Sequence, residues 1–307
     1  MKTNDQEGHG GHLINNASYY QTWSNYFVRF FEEYSKNGVT FWGVTMQNEP
    51  VASSSFQSML FNSSQERDFA KNYWGQTMRS NPTTNNLKLM ILDDNRQRVT
   101  DYTDTVFNDT DSSKYIDGCA IHWYNDDATR PESLTTTHEK HPDKFLLYTE
   151  ACNEGGVKPG QWSQADNYMK HIMPVLQNWV VGWTDWNLCL DPRGGPNWDN
   201  NFVDSPIIVS NTSNEFEKQP MYYALGHIAK FIVPDSVMIA NHISGLNSNT
   251  KQLIESIAAV NPAGQKVIVI NNRDVATSYP VSIVNKKGAV LNLNLEASSF
   301  TSIVYSD

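Results

Sequence analysis

The chain has 307 residues, 39% of them hydrophobic and 18% charged, which suits a folded protein large enough for a barrel-sized core and excludes disorder. Asp and Glu outnumber Lys and Arg 33 to 23, a formal charge of −10, which argues against a nucleic-acid partner and leaves no clean basic face for anionic lipid. No apolar run approaches the ~18 residues of a membrane helix, and the opening MKTNDQEGHGGH is polar where a secretory leader would be apolar.

In chain order, residues 19–36 place Tyr19, Trp23, Tyr26, Phe27, Phe30, Phe31 and Tyr34 at helical spacing before a Gly38 stop. The run Phe41–Asn48 reads as a strand buried on both faces. Ser63 and Glu66 have capping-box spacing ahead of a second helix. Leu87–Asp94, Gly118–Tyr124, Lys144–Ala151 and Val180–Leu188 read as further buried strands, and 163–178 as a helix interrupted at Pro174. Alternation of strand and helix predicts a parallel sheet.

Polar and aromatic residues close every one of these strands: Asn48-Glu49, Asp93-Asp94, His122-Trp123-Tyr124, Glu150 and Asp185-Trp186-Asn187. This is the rim expected of a (β/α)₈ TIM barrel, whose site is assembled from strand ends. A doubly wound sheet would gather ligand groups at one switch point, and no glycine-rich phosphate loop is present. After Pro234 short alternating segments at Lys266–Ile270, Pro280–Val284, Leu291–Leu295 and Thr301–Tyr305, separated by turn signals, predict an all-β sandwich module. The expected division is therefore 1–233, a partial barrel, and 234–307, the sandwich. Only five of eight barrel strands are visible in the sequence.

Glu49 and Glu150 close two apolar strands, three barrel positions apart. Retaining glycoside hydrolysis needs two such carboxyls roughly 5–5.5 Å apart, one as acid/base and one as nucleophile, with an amide such as Asn48 able to bond a sugar 2-hydroxyl. The bland alternative is that each is a solvated rim carboxylate. Trp123, Tyr124, Trp183, Trp186 and Trp198 could stack sugar rings or pack as core, and His122 could orient a glutamate or be structural.

Other motifs carry less. His138 and His141 lack HExxH spacing, and GHGGH at 8–12 reads as a loop able at most to hold adventitious metal. Cys152 has no histidine partner for thiol chemistry, and DPRGGPNWDNN at 191–201 lacks calcium-loop acids. Neither metal nor cofactor is expected. Cys119, Cys152 and Cys189 lie in apolar stretches and are expected buried and reduced. Sequons at Asn16, Asn62, Asn108 and Asn211 favour a secretory route.

FWGVTMQNEP, GCAIHWYNDD, LLYTEAC and VVGWTDWNLCLDPRGGPNWDNNFVDSPIIV resemble the lysosomal glucosylceramidases (acid β-glucosidases) over essentially the whole chain. The resemblance implies a barrel with a sandwich module and retaining hydrolysis of glucosylceramide to glucose and ceramide. It places the acid/base at Glu49, the nucleophile at Glu150 and substrate contacts at Asn48, His122, Tyr124, Trp186 and Asn201. It further implies a lysosomal protein, peripheral at the luminal membrane, with a saposin-like activator and an anionic lipid surface as partners. On this alignment the visible strands are barrel strands four to eight, and strands one to three are expected to be missing. The polypeptide as printed is then expected to fold poorly and turn over little glucosylceramide. The alternative is a catalytically inactive product that binds lipid or a protein partner.

Overall fold

Asn16 lies in extended backbone and its side chain accepts the Ser18 N–H, which caps the first helix, α1 (Ala17–Lys36). Its aromatic face packs Trp23 flat on Phe69, with ring centroids 4.5 Å apart, and Phe31 edge-on to Phe41. The chain then enters β1 (Gly43–Thr45), three residues where the apolar run predicts eight. The computed structural model describes residues 1–248, 250 and 252–306. These fall into two compact units, Met1–Ala151 with Asn178–Asp185, and Cys152–Gln177 with Trp186–Asp307.

In the first unit, α2 (Ser63–Phe69) is started by a capping box, but one residue earlier than the sequence suggests. Asn62 accepts the Gln65 N–H and Gln65 answers to the Asn62 N–H, so Ser63 is the first helical residue. Glu66 is thereby turned inward and is fully buried. One π turn (Ala70–Trp74) joins α2 to α3 (Gly75–Ser80). Gly75 is required there, because a Cβ would stand 2.4 Å from the Tyr115 ring.

Then follow β2 (Lys88–Asn95), α4 (Val99–Phe107), α5 (Thr110–Ser113), β3 (Gly118–His122), α6 (Glu132–Lys140), β4 (Phe145–Glu150) and, after residues of the second unit, β5 (Val180–Trp183). The strands form one parallel sheet in the order β1-β2-β3-β4-β5. Leu89–Leu92 and the whole of β3 are buried, as expected of strands covered on both faces. This is the sheet of a partial TIM barrel. Its ladder slips between Leu92 and Asp94, Ile121 and His122, and Leu146 and Tyr148. Such bulges re-aim side chains near sites. The fifth strand stops at Trp183, so Asp185, Trp186 and Asn187 follow the strand rather than end it.

The second unit begins with α7 (Trp162–Leu176), which accommodates Pro174 within its last turn, and contains α8 (Pro220–Ala229) with proline at its first position. Short strands β6 (Cys189–Leu190), β7 (Ile207–Val209) and β8 (Phe216–Lys218) make a small sheet. The remainder is the β sandwich. Strands β9 (Val237–Ile239), β10 (Ile254–Val260), β11 (Lys266–Asn272) and β14 (Ser299–Tyr305) form an antiparallel sheet ordered β14-β11-β10-β9. The hairpin β12 (Tyr279–Val284) with β13 (Val290–Leu295) faces it across a core of Ile254, Ile270 and Leu295. Strands β9 and β10 have no counterpart among the sequence expectations. Among the described residues no disulfide joins the cysteines, and Cys119 and Cys152 are buried as expected; Cys189 is exposed, because it lies on a two-residue strand of the small sheet.

Candidate active site

The carboxyl ends of β1, β3 and β4 bring Glu49, His122 and Glu150 together, with one oxygen or nitrogen of each within 4.8 Å of the others. Glu49 follows β1 with φ +42°, and its N–H donates to the Asp93 carbonyl at 2.9 Å, which ties the turn to the end of β2. Glu150 lies opposite His122 in the β3–β4 ladder. The Tyr124 hydroxyl donates to Glu150 Oε1 at 2.9 Å.

His122 is wholly buried. Its Nε2 lies 3.2 Å from Asp93 Oδ1, and its Nδ1 lies 3.4 Å from Glu49 Oε1 and 3.8 Å from Glu150 Oε1. The contacts at Nδ1 are ion-pair distances rather than aligned hydrogen bonds. Burial opposes charge on the ring, but the Asp93 and Glu49 carboxylates, with Glu150 beyond them, lift its pKa to about 10. His122 is thus an imidazolium throughout the physiological range. With both nitrogens protonated the ring faces carboxylates on either side, and the trio reads as an acid–base cluster.

Burial pushes Glu150 above the ordinary glutamate range, while the His122 charge and the Tyr124 hydroxyl pull it back. Asp94, almost fully buried next to the site, is also raised, first by desolvation. Beneath these groups Asp93 collects further bonds. Its Oδ2 accepts the Thr45 hydroxyl at 2.6 Å and its Oδ1 the Thr149 hydroxyl at 2.6 Å.

Of the residues expected from sequence, Glu49, His122, Tyr124 and Glu150 converge in the first unit, and Asn48 stands exposed beside Glu49. Trp186, 48% exposed, and Asn201, also exposed, belong to the second unit. Trp183 and Trp123 pack as core, Trp183 lying flat on Tyr148 with centroids 5.0 Å apart and edge-on to Trp123. Asp93, Thr45 and Thr149 are the residues that sequence reasoning passed over. The paired aspartates closing an apolar run were the available signal.

A parallel barrel sheet with two carboxyls facing each other across a buried imidazolium at its strand ends, in a chain that also carries a β sandwich, defines a protein of the glycoside hydrolase class. Residues 1–232 match the glycosyl hydrolase family 30 TIM-barrel domain, and residues 235–303 match the family's beta sandwich domain. The chain belongs to glycosyl hydrolase family 30. It is similar to the putative glucosylceramidase 4 of Caenorhabditis elegans, 39% identical over 318 residues, covering 99% of this chain and 60% of the relative. Similarity to the lysosomal acid glucosylceramidase of Mus musculus is also 39%, over 295 residues, covering 92% of this chain and 56% of that protein. The crystal structure of SrfJ from Salmonella typhimurium superposes with a TM-score of 0.89 at 26% identity, over 100% of this chain and 66% of that one. The chain thus spans between 53% and 60% of the length of the glucosylceramidase relatives it matches.

Proposed function

We propose that the protein is a retaining β-glucosidase acting on glucosylceramide, with Glu150 as nucleophile and Glu49 as acid/base. The observation that carries this is the separation of the two carboxyls, oxygens within 4.8 Å. Oxygens that close suit the ~5–5.5 Å spacing of double-displacement sites better than the ~6.5–9.5 Å that leaves room for a water in inverting ones. The sugar class rests on the relatives, whose names specify glucosylceramidases.

In the first step the Glu150 carboxylate attacks the anomeric carbon, the bond to the glycosidic oxygen breaks, and Glu49 passes its proton to the departing ceramide oxygen. In the second, the Glu49 carboxylate takes a proton from water, whose oxygen attacks the same carbon from the vacated side. β-Glucose leaves and both glutamates return to their starting states. His122, fixed as a cation, balances the carboxylates without itself exchanging a proton. Asn48 is assigned the sugar 2-hydroxyl, and Trp186 and Asn201 further contacts to glucose. The four exposed sequon asparagines and the name of the mouse relative support a luminal lysosomal setting. A saposin-like activator and an anionic lipid surface complete this proposal, to be read as stimulation of turnover by anionic vesicles.

A 2-deoxy-2-fluoro glucoside with a good leaving group tests the assignment, because it should leave a covalent sugar on Glu150 that peptide mass mapping locates. NMR of the first-formed product should show the β-anomer. Label on another residue, or α-glucose as first product, would overturn the reading. The alternative of an inactive binding protein draws on the exposed aromatics Tyr26 and Trp42 of the first unit, and turnover by the purified protein decides against it.

Tyr124→Phe makes a separate test. The hydroxyl stabilises the ionised form of Glu150, so its loss raises a pKa that burial has already raised. Turnover needs Glu150 ionised, so activity disappears as pH falls through that pKa, and the acid limb of the profile should move to higher pH. A hydrogen bond to a charged group is worth ~1.5–3 kcal/mol, so kcat/KM should fall roughly 10–100-fold. An unmoved acid limb would show that Tyr124 does not act on the nucleophile.

A further inference from the structure

We infer that Asp93 is a positioning residue that sets the spacing of the Glu49 and Glu150 carboxyls, and that the buried Glu66 holds the backbone bulge from which Asp93 does so. The inference rests on the reading of Glu49 and Glu150 as the catalytic pair.

Leu92 and Asp93 have φ of +72° and +62°, a left-handed conformation that non-glycine residues adopt at a cost. The β2–β3 ladder slips at the same place, from Leu92 to Asp94. A strand in regular alternation would give one of two adjacent aspartates to each face. The bulge instead frees Asp93 to address three other strands of the sheet. Thr45 on β1 donates to one carboxylate oxygen, and Thr149 on β4 donates to the other, which also receives His122 of β3 at 3.2 Å. Its carbonyl accepts the N–H of Glu49.

Each catalytic carboxyl is therefore two steps from Asp93 by more than one route. Glu49 is reached through its own backbone and through His122 Nδ1. Glu150 is reached through its neighbour Thr149 and through the same imidazolium. A double-displacement site depends on the carboxyl separation, and misplacement by ~1 Å can lower a rate ~10²-fold.

Glu66 completes the arrangement from below. It is 0% exposed on α2, and its Oε2 accepts the N–H of Leu92 at 3.0 Å, a donor at the point where the ladder slips. Its Oε1 has no hydrogen-bond partner among the described residues. A fully buried carboxyl is an expensive way to satisfy one amide unless that amide's position matters. Burial drives the Glu66 carboxyl well above the usual carboxyl range.

The test uses the protein in which the wild-type chain is active. Asp93→Asn keeps the shape but removes the charge that faces His122 and one acceptor. It should lower kcat about 10²-fold with KM within about threefold. The pH profile should move, because His122 loses one of the carboxylates that hold it charged between the glutamates, and the product should remain the β-anomer. Thr149→Val, which deletes one strut, should lower kcat about tenfold, and Thr149→Ser should restore it. Glu66→Gln keeps an oxygen for the Leu92 N–H and should stay near wild type, whereas Glu66→Leu should reproduce the Asp93→Asn defect. Wild-type kcat and pH profile in Asp93→Asn would overturn the inference. If Asp93→Asn fails to fold, equal kcat in Thr149→Val and wild type overturns it instead. Should Glu150→Gln keep full activity, it is the catalytic pair that has been misidentified, a result that differs from failure of Asp93 alone.

Discussion

Glu150→Gln is expected to abolish turnover of every β-glucoside, by roughly 10⁴–10⁶-fold, with substrate binding retained. The amide is nearly isosteric with the carboxylate but cannot form the glycosyl ester, and the first unit places one other glutamate, Glu49, at the pair. Glu49→Gln should behave differently. A ceramide leaving group needs a proton, so the loss on glucosylceramide should be about 10²–10⁴-fold, the range for a positioned general acid. An activated phenol leaves without one, so glycosylation by an aryl glucoside should be nearly unaffected and the intermediate should accumulate as a burst. Azide or formate, small anions that attack without help from a general base, should then restore turnover and with azide yield the β-glycosyl azide. Parallel measurement on lipid and aryl substrates checks the assignment. Equal losses on both in the Glu49 variant, or exchanged behaviour between the variants, would reverse or refute it.

Much of this site was legible in the sequence because its chemistry interrupts strong apolar runs. LeuLeuTyrThrGlu at 146–150 and AlaIleHis at 120–122 can be buried strands only if their polar ends are used, and both ends meet in the structure. What was not legible depends on backbone conformation rather than side-chain pattern. The positive φ values at Leu92 and Asp93 belong to residues with no preference for that region, so nothing in their identity announces the bulge. Glu66 was misread for a related reason. Ser63 and Glu66 have the spacing of a capping box, but Asn62 with Gln65 has it too, and it is Asn62 that caps the helix. One residue of phase is about 100° around a helix, enough to turn Glu66 from a surface cap into the core. In the second unit, β10 escaped notice because Glu255 and Ser256 break the apolar pattern of Ile254–Val260, and only pairing with β11 makes the segment a strand. Trp186 was expected to close a strand that ends three residues earlier.

The second large effect expected is on stability and lies beneath the site. Arg96 and Asp126 form an ion pair at 3.1 Å, with side chains 4% and 0% exposed. The Tyr148 hydroxyl reaches both Asp126 oxygens at 3.0 and 2.9 Å, and the guanidinium also bonds the Tyr148 oxygen and the carbonyls of Asp126 and Thr129. These bonds pin the turn after β3, which carries Tyr124, onto β4, which carries Glu150. A buried pair of this kind contributes little net stability compared with apolar residues of the same shape, but removing one partner strands the other charge in the core. Asp126→Ala should therefore cost about 3–5 kcal/mol, a large share of the ~5–15 kcal/mol by which domains are stable. Tyr148→Phe should cost only about 1–3 kcal/mol, because Arg96 still neutralises Asp126 and the ring still stacks on Trp183. Replacing both charges, Arg96→Met with Asp126→Leu, should recover most of what Asp126→Ala loses. Denaturant midpoints of the wild type and the three variants check the order. If Asp126→Ala were no worse than Tyr148→Phe, the pair would not be buried charge at all, and the β3 turn would have to be held against β4 by packing alone.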